Sequence, residues 1–239
     1  MTNYSVENIV RDVRVAIDQN AQQTDLVNWG DVDTLALSEI IQSKIEDAAK
    51  LIESQAPGNL LEGQTCSNEP TFTKLATSDT NYVVTIDVPS DYMRLFLFKM
   101  DDWARHVSET IEATSPLYAY QRMKVEAVRG NPESPVVAIV PNSEGGLMLE
   151  AYTTASNEST QNRATFLYVP QPSIANGNIS LPPKLYRAIV YATAYLTALD
   201  YGDQAKAALL LSVAKNLAQI SEVPTVPYTP QTQQTQEEQ

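Results

Sequence analysis

The sequence predicts an α+β protein: an N-terminal helix pair and a C-terminal helical hairpin forming a helical bundle, with an inserted small mostly antiparallel β-sheet domain. Three observations predict it. Apolar residues recur at helical spacing near the two ends of the chain, and the middle carries short β-branched runs between turn signals. Hydrophobic residues make up 43% of the 239 positions, enough for a packed core. The expected division is 1–58 for the N-terminal helices, 59–181 for the inserted sheet domain, 182–221 for the C-terminal hairpin and 222–239 for an extended tail rich in proline and glutamine.

The first helix is expected to start at Ser5 as its cap and to stop near Asn20, with Val6, Ile9, Val10, Val13, Ala16 and Ile17 on one stripe. A polar connector, Ala21 to Asp33, leads to a second helix capped by Thr34 or Ser38. Leu37, Ile41, Ile45, Ala48 and Ile52 share its apolar face, and Pro57-Gly58 ends it. A short strand is expected at Phe72 to Leu75, and Tyr82 to Val88 alternates as a strand. Pro89-Ser90-Asp91 breaks the chain. Met93 to Met100, apolar on both faces, reads as a central strand covered on both sides. Ser115 followed by Pro116 opens a helix expected to run to Val128 and end at Gly130. Val136 to Val140, Leu147 to Thr153 and Ala164 to Val169 complete one sheet with the earlier strands. Pro182-Pro183 opens the hairpin. Its first arm aligns Leu185, Ile189, Ala192, Leu196 and Leu199; Gly202 suits a left-handed cap and Asp203 the next helix start. The second arm aligns Ala205, Leu209, Val213, Leu217 and Ile220.

The chemistry inventory is narrow. The chain has one His and one Cys, so a nucleophile and base pair built on histidine must use His106, and a Cys/His zinc site cannot be assembled. Phosphate-loop, dinucleotide-binding and serine-elbow motifs are absent. No catalytic, cofactor-binding or metal-binding residue is assigned, and no cofactor is expected. The chain is read as not an enzyme. The paired aspartates Asp101-Asp102, and Asp31 with Asp33, suit turns and caps on a wet surface; the alternative is a carboxylate-based hydrolase or carbohydrate-binding module. Sixteen basic against 29 acidic residues give a net charge of −13, which opposes tight DNA binding. Arg122, Lys124 and Arg129 beside Tyr118 and Tyr120 are the one local basic cluster, expected to face protein. The start of the sequence has no signal-peptide pattern, and no apolar run approaches about 18 residues, so neither export nor membrane spanning is expected. Cys66 permits no internal disulfide, and the sequons at Asn3, Asn157 and Asn178 then read as chance matches.

Several segments in order resemble the head-to-tail adaptor proteins of tailed phages. Ile86-Asp87-Val88-Pro89-Ser90-Asp91-Tyr92-Met93-Arg94-Leu95 resembles that family's strand, proline, acid, aromatic, Arg-Leu signature. The resemblance continues through Trp103, Tyr118-Ala119-Tyr120-Gln121-Arg122, Pro135-Val136-Val137 and Leu167-Tyr168-Val169-Pro170, and closes on the helix from Leu185-Tyr186 to Ala194-Tyr195. It spans residues 5 to 220 and is closest to adaptors of short-tailed and crAss-like phages. The resemblance implies a structural virion protein at the head-to-tail junction, made in the bacterial host cytoplasm. It implies a cyclic homo-oligomer, commonly of twelve copies, docked on the portal protein and touching other ring or tail proteins. Genomic DNA would pass through the channel without specific binding.

The residues expected at a subunit or portal interface are Tyr186, Tyr191, Tyr195, Leu196, Val223, Val226 and Tyr228. Tyrosine buries a large ring while its hydroxyl stays paired, which suits packing between subunits. The proline-spaced segment Val223 to Pro230 cannot build a core of its own, and it is expected to act as an extended strap on a neighbour or on the portal.

Overall fold

Alternating and helical apolar patterns sort this chain into two kinds of layer, and a computed structural model shows how they stack. The structure describes residues 1–17, 36–75, 81–123, 125, 128–143, 145–155 and 163–220. Among them are five α-helices and eleven strands in three sheets. The expectation of a helical bundle framing one small sheet is therefore corrected: the strands build three sheets, the largest of five strands, and the helices do not form a bundle around one of them.

The helical layer contains α1 (Val6–Ala16), α2 (Leu37–Gln55), α4 (Tyr186–Asp200) and α5 (Gln204–Leu217). A three-stranded sheet belongs with it, because β1 (Thr2–Ser5) pairs antiparallel with β11 (Asn178–Leu181), which also pairs with β10 (Ile174–Ala175). Ile9, Val13, Ile41, Ile45, Ile52, Ile179, Leu181, Leu185 and Ile189 meet in one core. Helix α4 is its axis. Ala188, Ile189, Val190, Ala192 and Ala194 are all buried, so the helix is apolar nearly all round, as a central helix must be. Its buried Thr193 and Thr197 hydroxyls donate to the carbonyls of Ile189 and Thr193, which removes the cost of burying them. Gly202, at φ 75°, reverses the chain, and Asp203 accepts from the Lys206 amide to start α5.

The other two sheets form a sandwich. β2 (Gln64–Thr65), β9 (Ala164–Pro170) and β5 (Tyr92–Met100) make a three-stranded sheet in the order β2-β9-β5. Five strands make the third: β3 (Thr71–Lys74), β4 (Tyr82–Asp87), β8 (Leu147–Thr154), β7 (Val136–Pro141) and β6 (Ile111–Glu112), in that order, with β6 parallel to β7. Val84, Ile86, Val137, Leu149 and Ala151 meet Leu95, Phe98, Met100, Phe166 and Tyr168 in a second core. Trp103 seals it, edge-on to Phe98 with centroids 5.4 Å apart, its indole N–H donating to the Thr153 carbonyl at 2.9 Å. Tyr152, Val83, Ala138 and Val140 lie on the opposite face of the large sheet in a third, smaller core partly covered by α3 (Pro116–Gln121).

The single-sheet expectation fails at two places. The Pro89 turn sends consecutive strands β4 and β5 into different sheets, and β8 and β9 are likewise separated. Strand β5 is also not central: it lies at the edge of its sheet, with one bridge from Phe98 to Val107 beyond. Its two apolar faces come from being sandwiched. Leu95 and Phe98 face the second core, whereas Met93 and Phe96 pack on the helical one.

The expected helix 116–128 stops at Gln121, whose side chain turns back to accept from the Gly130 amide at 2.7 Å. The expected stripe on α5 is also corrected. Ala207, Leu210 and Ala214 face the core, while Leu209 and Leu217 face solvent, because small alanines let α5 approach α4 closely. Leu199 on α4 is likewise exposed. Ser5 occupies the α1 cap position without a side-chain capping bond, and Ala36 rather than Ser38 caps α2. Ser38 instead accepts from the Arg14 guanidinium. Thr34 and the connector Ala21 to Asp33 lie outside the described residues.

Candidate functional site

The tyrosines singled out on α4 have different surroundings. Tyr186 stacks on Tyr4 with ring centroids 4.4 Å apart and donates to Asp12 at 2.7 Å. Burial first, and that carboxylate second, push its hydroxyl pKa upward. It is a fixed joint between α4, β1 and α1. Tyr191 and Leu196 are half-buried against the helical core. Tyr195 differs, because its ring lines a cleft of about 170 Å³ between α2 and α5, with Leu51, Ile52, Leu211, Lys215 and Ile220. A second cleft, of about 670 Å³, continues along α5 past Ala208, Ser212 and Asn216 and shares Leu211, Lys215 and Ile220. Val223, Val226 and Tyr228 lie outside the described residues.

Exposed apolar side chains mark two further regions. Leu117, Tyr120, Met123, Val125 and Val128 stand out from α3 and the chain after it, and Leu209 and Leu217 stand out from α5. Their elements belong to different cores: α3 covers the third, while α5 closes the helical one. Scattered exposed leucines are ordinary, but runs of them on one short element mark contact surfaces.

A polar cluster not anticipated from the sequence lies beneath α3. Glu150, nearly buried on β8, accepts from the Tyr118 hydroxyl at 2.9 Å and the Tyr152 hydroxyl at 2.5 Å. Arg122 donates to the Tyr118 oxygen at 2.7 Å and sits 3.7 Å from the Glu150 carboxylate. Burial and the Glu150 bond push both tyrosine hydroxyls upward in pKa, so they remain donors at neutral pH. Thr73, Leu75, Val83 and Thr85 complete a cleft of about 410 Å³ beside this cluster. The signal was a charged residue flanked by Leu149 and Ala151 in a strand whose alternate positions meet tyrosine.

The other candidates are dispersed. Asp101 accepts from the Arg163 amide, and Asp102 accepts from the Thr154 hydroxyl and the Ala155 amide, so both aspartates anchor loops. His106 is exposed. Arg122 turns to Glu150 while Arg129 is buried at 4% exposure, so these two do not form one basic track; Lys124, Asp31 and Asp33 lie outside the described residues. Among the described residues no three His, Cys, Asp or Glu side chains are grouped to hold a metal ion. No described helix is long and apolar enough to cross a membrane.

The signature segment 86–95 makes a joint between layers. Asp91 accepts from the Tyr168 hydroxyl at 3.0 Å, and its carbonyl accepts from the Gln171 amide. Tyr92 stacks on Tyr168 at 6.1 Å, and Arg94 reaches the C-terminal carbonyls of α2. Asp91 and Tyr92 thus both meet Tyr168 across the β5–β9 pair, whereas Arg94 turns away to the end of α2. No protein-family pattern matches the chain, and no curated protein is significantly similar to it.

Proposed function

We propose that this protein is a structural subunit of a head-to-tail adaptor ring in a tailed phage, docked on the portal and surrounding the DNA channel. The observation that carries the proposal is that exposed apolar side chains lie on two different cores, a run on α3 and the segment after it, and Leu209 and Leu217 on α5. A cyclic assembly needs two different, mutually complementary patches on each subunit, since every contact is heterologous. The hydrogen bond from Tyr168 to Asp91 joins two of the segments that carry the family resemblance, which supports it. The charge of −13 suits a wall past which DNA slides, because an acidic surface repels phosphate.

Electron microscopy of the full chain, alone and mixed with a portal protein from a phage of the same type, tests this reading. Closed rings, expected to be twelvefold, support it. A particle that remains monomeric in both conditions, at any protein concentration used, overturns it. Submicromolar, salt-sensitive affinity for double-stranded DNA would contradict the inert channel.

A further inference from the structure

On the outer face of the five-stranded sheet, register places Thr73, Val83 and Tyr152 in one row across β3, β4 and β8, with Thr85 beside Glu150 in the next. Directly opposed residues share a face, and Tyr118 of α3 packs on the third core there. The cleft of about 410 Å³ beside this cluster lies within the range of about 300–1,000 Å³ usual for small-molecule sites. Leu75 and Val83 give it apolar surface, and Arg122 and Glu150 give it charge. Arg122 is fixed before any ligand arrives. Its Nη2 donates to the Tyr118 oxygen at 2.7 Å, and its guanidinium lies 5.2 Å from the centre of the Tyr118 ring. Bonds to the Tyr118 and Tyr152 hydroxyls use two of the five N–H donors of an arginine, while the side chain stays 64% exposed. The nearer Glu150 oxygen, at 3.7 Å, is beyond hydrogen-bonding distance, and the other already accepts from both tyrosines.

We propose that this cleft binds a small monocarboxylate with a compact apolar body, the carboxylate on Arg122 and the body over Leu75 and Val83. A planar guanidinium offers a carboxylate paired N–H groups of matching geometry, and holding it in place beforehand removes part of the ordering cost. Glu150 sets the charge of the ligand. Its buried negative charge beside Arg122 opposes a second negative charge, so a monoanion is favoured over a phosphate dianion. Leu75 and Val83, each 9% exposed, set the body, because they reward apolar area and offer no partner to further polar groups. Binding here needs no ring.

Saturation-transfer NMR on the full chain, which reads binding whether or not the protein assembles, tests the site with 3-phenylpropionate as the probe. Saturable binding is expected, with a dissociation constant of about 1 mM or below. 3-Phenylpropanol and 3-phenylpropylammonium, similar in shape but neutral and cationic, should bind at least about tenfold more weakly, because they bring the guanidinium no carboxylate. Arg122→Gln should weaken the carboxylate by a similar factor. Thr73 lines the cleft from β3 and is exposed, so charges placed there should leave the fold intact. Thr73→Lys should tighten binding of the carboxylate and Thr73→Glu should weaken it, each by about threefold. Should Arg122→Gln fail to fold, the Thr73 pair and the three probes decide. Absence of saturable binding, equal binding of the three probes, or an affinity unmoved by Arg122→Gln or by the Thr73 pair overturns the proposal.

Discussion

Arg94 on β5 donates from one guanidinium nitrogen to the Ser54 carbonyl at 2.9 Å, and thereby fastens the sandwich to the C-terminal end of α2. The same nitrogen reaches the Ala56 carbonyl at 3.1 Å. A cation at this end of a helix meets both the unpaired carbonyls and the negative pole of the backbone dipoles. Arg94→Met should cost about 1–3 kcal/mol in urea unfolding, and Arg94→Lys should recover part of that loss by keeping the charge. Equal stability of all three proteins would show that the joint is idle.

Glu53, one residue before Ser54, is fully buried, and among the described residues neither of its carboxyl oxygens has a hydrogen-bond partner. Burial pushes its pKa from 4.5 to about 8. The folded state then holds a proton that the unfolded state releases between these values, so stability should fall as pH rises from 4.5 through 8. Below that window the contribution is flat. Glu53→Gln should remove the slope, matching the parent near pH 4 and exceeding it by about 2–4 kcal/mol near pH 8.5. Unfolding midpoints across pH for both proteins give the comparison, and parallel profiles would refute the assignment.

The Glu150 cluster should behave as one unit. Glu150→Leu leaves the buried Tyr152 hydroxyl without its acceptor and should cost about 1–3 kcal/mol. Tyr152→Phe in that background removes the orphaned donor, so the double variant should be destabilised by less than the sum of the two single changes. Strict additivity in the double-mutant cycle would mean the 2.5 Å hydrogen bond contributes nothing.

Two glycines should respond in opposite ways. A methyl group at Gly130 would lie 2.4 Å from the Tyr152 carbonyl oxygen and 2.9 Å from the Val136 amide nitrogen, both backbone atoms that cannot swing aside. Gly130→Ala should therefore cost about 1–3 kcal/mol. At Gly58 the same methyl meets nothing within 4 Å, and Gly58→Ala should stay within about 0.5 kcal/mol of the parent. Thermal melts of the two variants side by side decide the matter.

Assembly should depend on exposed leucine more than on the interior. Leu209 is 66% exposed, so Leu209→Ser should leave the monomer fold intact while weakening any ring. Light scattering and circular dichroism on one sample separate the two effects. A fold loss comparable to that of a core variant would mean Leu209 packs elsewhere.

Local elements were legible where pattern and punctuation agreed. Ile41, Ile45, Ala48 and Ile52 share a stripe in the sequence and a core in the fold, and Gly202 with Asp203 breaks the hairpin as their chemistry dictates. What one sequence could not show was pairing. The alternation of Tyr82 to Asp87 says strand, but nothing in it says that β8 rather than β5 lies alongside. Thr2–Ser5 is too short and polar to announce a strand, and it forms one because β11 offers an edge. On α5, leucine outranked alanine as a core marker although close approach to α4 favours the smaller residue. Tyr195 is legible in the sequence as an aromatic on a helix, but the cleft beside it also needs Leu51 and Ile52 from α2, a partnership that only the fold displays.

The antiparallel union of Thr2–Ser5 with Asn178–Leu181 has a consequence for synthesis on the ribosome. Elements from residues 2–55 and 174–217 share one core, whereas the strands from Gln64 to Pro170 find their partners among themselves. Translation proceeds at about 5–20 residues per second, so the apolar stripes of α1 and α2 wait on the order of 10 s before α4 emerges to cover them. During that interval the N-terminal helices lack α4 as a partner, whereas every strand of the sandwich has already been made.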